Sequence, residues 1–187
     1  EGPFWIGREM DSGAATFTTY LPPSQIISYP EDLVQRNDKH PSEFIAAWMK
    51  ESGYGGAVVG YENDVYYTSS RSVALLKLHM KSAKWMQADL LVNWERLVKS
   101  EAELLVMKQA AQIADLAMQK AWEKTRPGVR QCDLMADIIS TQIKGTSDFG
   151  GDITALHPLI LAGEAASTAH PLWTDQKLEK DQIIAFE

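Results

Sequence analysis

The sequence has one cysteine in 187 residues, Cys132. A single thiol excludes an intramolecular disulfide and any zinc site built on several cysteines. Basic residues are also scarce: 18 lysines and arginines stand against 25 aspartates and glutamates, a formal charge of −7. Nucleic-acid binders ordinarily show a basic surplus, so no nucleic-acid partner is expected. No apolar run approaches the roughly 18 residues that a membrane-spanning helix needs, so no membrane partner is expected either. Neither GxGxxG nor GxxxxGK[ST] occurs, which removes two glycine-rich loops that cradle phosphate. What remains is ordinary globular composition, 45% hydrophobic and 23% charged. The length allows a real core, in one large domain or one and a half small ones, and a soluble cytoplasmic protein is the default expectation.

The two ends carry apolar residues where polar ones are usual. Glu1-Gly2-Pro3-Phe4-Trp5-Ile6-Gly7-Arg8 offers no initiator Met, basic n-region or small-residue cleavage site. Asp181-Gln182-Ile183-Ile184-Ala185-Phe186-Glu187 reads as a buried strand with no turn signal after it. Both ends are therefore expected to be cuts within a longer chain.

The first half alternates strands and helices. Pro3 to Ile6 and Ile26 to Tyr29 are candidate strands. A helix opens at His40-Pro41-Ser42-Glu43, carries Phe44, Ile45, Trp48 and Met49 on one face, and ends at Gly53-Tyr54-Gly55-Gly56. Ala57 to Tyr61 is a short apolar strand, and Ser69 to Met80 a further helix through Val73, Leu76 and Met80. This alternation predicts an α/β layer domain. A boundary falls near Asn93-Trp94-Glu95-Arg96, giving an N-terminal part over 1–93 and a second over 94–187.

Beyond it, Ser100 and Glu103 fit a capping box. Leu104, Met107, Ala111, Ala114, Met118 and Ala121 form a stripe at spacings of three and four, predicting a long amphipathic helix that ends at Arg126-Pro127-Gly128. A second helix is expected from about Cys132 to Ile143, burying Leu134, Met135, Ile138 and Ile139 and stopped by Gly145. Phe149-Gly150-Gly151-Asp152 reads as a turn, Ile153 to Leu161 as a strand interrupted by His157-Pro158, Gly163 to Thr174 as a loop, and Asp181 to Glu187 as a final strand.

Few residues here could carry chemistry. His170 lies in the loop between two apolar strands, where an imidazole can act as a general acid or base near neutral pH; the alternative is a surface-loop histidine. Glu187 closes an apolar strand, which would bring a carboxylate into or beside the core. Such a group usually has a partner, a metal or a catalytic role, unless the strand end simply faces solvent. Trp173 is the one tryptophan near enough to His170 to touch a ligand. Phe149-Gly150-Gly151-Asp152 could shape a pocket or be a tight turn only. His157 reads as structural, and Cys132, beside Asp133, as inert.

The order of these segments resembles the creatinase / prolidase / aminopeptidase P superfamily, whose catalytic domain has the pita-bread fold and follows an α/β N-terminal domain. Leu91-Val92-Asn93-Trp94, Gln131-Cys132-Asp133-Leu134, Phe149-Gly150-Gly151-Asp152 and His170-Pro171-Leu172-Trp173-Thr174-Asp175 are similar to the ectoine hydrolase-like members. The resemblance implies the later part of the α/β N-terminal domain over 1–93 and the first part of an α+β pita-bread domain over 94–187. It also implies that His170 faces substrate and moves protons. Glu187 stands where the family's metallopeptidases place a first aspartate ligand, and glutamate there departs from their pattern.

Three activities follow as expectations. The first is hydrolysis of a C–N bond in a small cyclic amidine, with His170 and Glu187 catalytic and Trp173, Phe149 and Asp152 binding substrate. The second is a metal-dependent Xaa-Pro dipeptidase or aminopeptidase, with Glu187 as a ligand of two divalent ions (Mn, Zn or Co). The third is a non-catalytic binding protein on the same scaffold. The resemblance further implies a homodimer acting on a small-molecule substrate, with this segment inactive alone because the remaining site residues lie past position 187.

Overall fold

The computed structural model describes residues 2–187, which divide into two compact units between Val98 and Lys99. The first unit contains two parallel strand pairs. Strand β1 (Trp5–Arg8) pairs with β2 (Ile26–Tyr29) in the register Trp5↔Ile26 to Arg8↔Tyr29, and helix α1 (Ser12–Thr18) lies between them in sequence. Strand β3 (Val58–Tyr61) pairs with β4 (Lys84–Gln87), Val58↔Lys84 to Tyr61↔Gln87, with α3 (Ser70–His79) in the crossover. Parallel strands require such a crossover, so both pairs are small strand–helix–strand units. The first strand starts two residues later than the sequence predicts, because its register follows β2 and Pro3 has no N–H to give. Helix α1 and strand β4 have no counterpart in the sequence reading; Lys84-Trp85-Met86-Gln87 is too polar at its ends to show a strand pattern.

Helix α2 (Pro41–Glu51) joins the two pairs in sequence and packs on α3. Its start is well determined: His40 caps it by accepting the Ser42 N–H on Nδ1 at 3.1 Å, and Pro41 occupies the first turn. Ser42 and Ala46 are fully buried, while Phe44, Ile45, Trp48 and Met49 are half-buried. The rings of Phe4 and Trp48 meet edge-on, 4.9 Å between centroids, and Tyr29 meets Phe44 at 6.3 Å. Gly53, at φ +89°, provides the left-handed residue that ends the helix. A short helix, α4 (Leu91–Glu95), closes this unit.

The second unit is a helix pair, α5 (Glu101–Lys124) and α6 (Gln131–Lys144), against an antiparallel pair, β5 (Ile160–Ala162) and β6 (Ile184–Phe186). The capping box forms as the sequence predicts: Ser100 Oγ accepts the Glu103 N–H at 3.3 Å, and the Glu103 carboxylate takes the Ser100 N–H at 2.7 Å. The core gathers Ala117, Ala121, Leu134, Met135, Ile138, Ile160 and Leu178. The stripe expected along α5 is mostly not buried. Leu104 is 37%, Met107 52% and Met118 43% exposed, and Ala111 and Ala114 are exposed as well. Helix α6 is 14 residues against 24 for α5, roughly 21 Å against 36 Å, so it reaches only the later turns, at Ala117 and Ala121.

The strands of this unit are shorter than their apolar runs. Residues 153–159 form no strand, because Pro158 cannot donate to a ladder, and the final strand begins only after Asp181, which has φ +62°. One further backbone pair, Leu159 with Glu187, extends the ladder. A second stitch ties residues 174–178 to the start of α6. The Gln131 N–H donates to the Gln176 carbonyl at 2.9 Å and Cys132 N–H to that of Thr174 at 3.0 Å, which satisfies first-turn donors that a helix leaves open. The nearly buried Gln131 side chain takes the Thr174 N–H in return.

Candidate active site

The two stitches fix both ends of the segment that carries His170. It leaves β5 through Gly163 (φ +63°) and a 3₁₀ turn, Gly163–Ser167, and rejoins the α6 stitch at Thr174. His170 itself sits at φ +61°, a left-handed conformation that a non-glycine residue adopts at a cost of about 1–3 kcal/mol and that concentrates at functional sites. Glu187 directly follows β6. Together these bring His170 Nε2 to 3.5 Å from Glu187 Oε1. Both side chains remain open, at 72% and 54% exposure, so Glu187 is at the solvent-facing end of its strand rather than within the core.

A hollow of about 400 Å³ lies beside this pair, lined by Gln142, Leu156, His157, Pro158 and Leu159 as well as His170 and Glu187. A second, of about 420 Å³, shares Gln142, His157 and Pro158 and adds Ile139, Ile143, Ile153, Asp152 and Thr154. Asp152 stands at its rim, Oδ1 accepting the Ile153 N–H at 2.7 Å. Phe149 lines neither. It belongs to the turn that closes α6: its carbonyl accepts the Thr146 N–H at 2.9 Å, and its own N–H donates to Thr146 Oγ1 at 3.1 Å. Gly151 completes that turn, since a Cβ there would lie 1.8 Å from the Gln142 carbonyl oxygen. Trp173 packs against the hydrophobic core and meets His157 edge-on at 6.4 Å; the hollow beside His170 is not lined by it.

Two residues of the site carry a role the sequence reading did not give them. Gln142 lines both hollows, and its signal was present: it continues the buried Leu134–Ile138 row of α6 at the next spacing of four, a polar side chain at an apolar position. His157, read as structural, lines both hollows too. Cys132 stays peripheral, Sγ 3.9 Å from Asp133 Oδ1, with the Asp133 carboxyl held below its usual range by the Arg130 guanidinium.

Chemically, an imidazole and a carboxylate at the mouth of a mostly apolar hollow can divide proton transfer and nucleophilic or electrostatic work between them. Among the described residues no three histidine, cysteine, aspartate or glutamate side chains gather, whereas zinc sites ordinarily draw on three or four protein ligands.

Residues 106–187 match the model of metallopeptidase family M24. The chain is 37% identical over 185 residues to a protein of Sinorhizobium fredii described as an uncharacterized hydrolase/peptidase, y4tM; the match covers 99% of this chain and 47% of that one. It is 32% identical over 191 residues to the ectoine hydrolase of Halomonas elongata, covering 99% and 48% respectively. Its fold is that of the Xaa-Pro dipeptidase from Bacillus anthracis, with a TM-score of 0.68 at 19% identity over 96% of this chain and 45% of the other. The chain thus spans about half the length of the curated relatives it matches. Most of α5, all of α6, the strand ladder and the His170 segment lie within residues 106–187, the part of the chain that is similar to metallopeptidase family M24.

Proposed function

We propose that the intact gene product is a hydrolase that opens a C–N bond in a small cyclic amidine, as an ectoine hydrolase does. The observation that carries this reading is the approach of His170 Nε2 to Glu187 Oε1, 3.5 Å, at the mouth of a hollow of about 400 Å³. The 32% identity to an ectoine hydrolase supports the choice of substrate class. In such a reaction the oxygen of water bonds to the amidinium carbon, the ring C–N bond breaks, and a proton passes to the departing nitrogen, leaving an amide and an amine. The Glu187 carboxylate is of a type to stabilise the cationic carbon, attack it or activate the water, and His170 to carry the proton. Asp152 and the Gln142 amide are placed to meet polar groups of the ligand, and the apolar walls to pack on its ring.

The proposal includes residues 1–93 as the later part of an α/β N-terminal domain, residues 94–187 as the first part of a pita-bread catalytic domain, and a cytoplasmic homodimer as the working form. No helix among the described residues is long and apolar enough to cross a membrane. The test is ectoine turnover by the intact gene product and its Glu187→Gln and His170→Ala variants. Each is expected to lose about 10²–10⁴-fold in kcat, the span of a general acid or base. Full activity in both would overturn the assignment.

The family M24 match favours a second reading, an Xaa-Pro peptidase in which Glu187 contributes to a site for two divalent ions. Metal analysis of the purified gene product separates the two. Two bound ions per chain and loss of activity with a chelator support the peptidase.

A further inference from the structure

The first unit holds a hollow of its own, about 340 Å³, along one face of α3, lined by Tyr61, Asn63, Thr68, Ser70, Val73, Ala74 and Lys77. Lys77 is half-buried and makes no ion pair among the described residues, although the chain carries a surplus of carboxylates. Its ammonium donates to the Tyr61 hydroxyl at 2.9 Å and rests 4.3 Å from the centroid of the same ring. Tyr61 therefore holds the ammonium in place and uses one of its three donors, leaving two. The lining also includes Thr68, Ser70 and Asn63, whose hydroxyls and side-chain amide are bonded to no other protein group among the described residues. The Asn63 loop is not slack, because the Asp89 carboxylate accepts the N–H groups of both Asn63 and Asp64. Ser70 is also the first residue of a ten-residue helix, whose end carries partial positive charge.

We infer that this hollow binds an oxyanion, the carboxylate or phosphate of a small molecule. Lys77 supplies the charge, and Thr68, Ser70 and Asn63 supply neutral donors around it. A cation would meet Lys77 head-on, and an apolar ligand would strand four polar groups, so neither fits the lining.

The test titrates the chain separately with sodium acetate and inorganic phosphate at fixed ionic strength, following the amide resonances of Thr68 and Ser70. At least one probe is expected to shift them saturably, and the preferred probe identifies the kind of oxyanion. Lys77→Gln is expected to weaken that binding about tenfold or more, as loss of a charge-assisted hydrogen bond implies. A Thr68→Val, Ser70→Ala double variant, which leaves the lysine in place, is expected to weaken it less. Resonances of β1 and β2, in the same unit as the hollow, report whether each variant is folded. Shifts that do not saturate with either probe, or that persist undiminished in the folded variants, would overturn the inference.

Discussion

At the scale of single residues, the account turns on His170. Its left-handed backbone, φ +61°, is unfavourable for an imidazole-bearing residue and natural for glycine. His170→Gly removes about 1–3 kcal/mol of strain and adds about 0.5–1 kcal/mol of chain entropy to be lost on folding. Stability in thermal unfolding is therefore expected to stay equal or rise while turnover by the intact gene product falls. A marked drop in melting temperature would show that the side chain is structural. His40 gives a second prediction, in pH. Burial, with Arg71 nearby, lowers its folded pKa from the ordinary 6.5, and its Nδ1 must be unprotonated to cap α2. The unfolded chain then takes up a proton at a higher pH than the folded one, so this contribution is complete above 6.5 and is lost as pH falls through the folded value. His40→Asn, which keeps a cap, is expected to flatten the stability profile between pH 5 and 6.5, a window set by the usual histidine range. An unchanged slope in denaturant titrations would contradict this.

Elements differ in how much of their structure was legible in the sequence, and the reason is physical. Helix α6 could be read closely because Leu134, Met135 and Ile138 repeat at helical spacing and Gly145, at φ +62°, stops the run. The start of α5 was equally legible through Ser100 and Glu103; Ser100→Ala is expected to cost about 1 kcal/mol in chemical denaturation. The burial of α5 was not legible, since periodicity marks an apolar face but not how long a partner covers it. The strands were the least legible. β4 takes its register from β3, and the run before β5 breaks at Pro158, so pairing rather than local pattern decided both. Within the site, residue types pointed to His170 and Glu187, but only the β5–β6 ladder and the α6 stitch bring them to 3.5 Å. Trp173 was visible as an aromatic near His170, yet tertiary packing turned it to the core. Gly151→Ala puts a methyl into the Gln142 carbonyl, so the α6 turn must shift; about 1–3 kcal/mol of destabilisation is expected. Full wild-type stability in that variant would mean the turn does not hold the wall of the hollows.

At the scale of the whole molecule, a net charge of −7 speaks to solubility, not to substrate. The proposed function rests on the second unit, where the metallopeptidase M24 match, the ladder ending at Glu187 and the hollow beside it coincide. The chain spans about half the length of the relatives it matches, so the activity is proposed for the whole protein and is assayed there. The most direct measurement is its turnover of ectoine and of an Xaa-Pro dipeptide, side by side, with and without Glu187→Gln. The account predicts ectoine opening that falls about 10²–10⁴-fold in the variant, with no comparable cleavage of the dipeptide. Dipeptide cleavage without ectoine turnover, or ectoine turnover indifferent to Glu187, would contradict it.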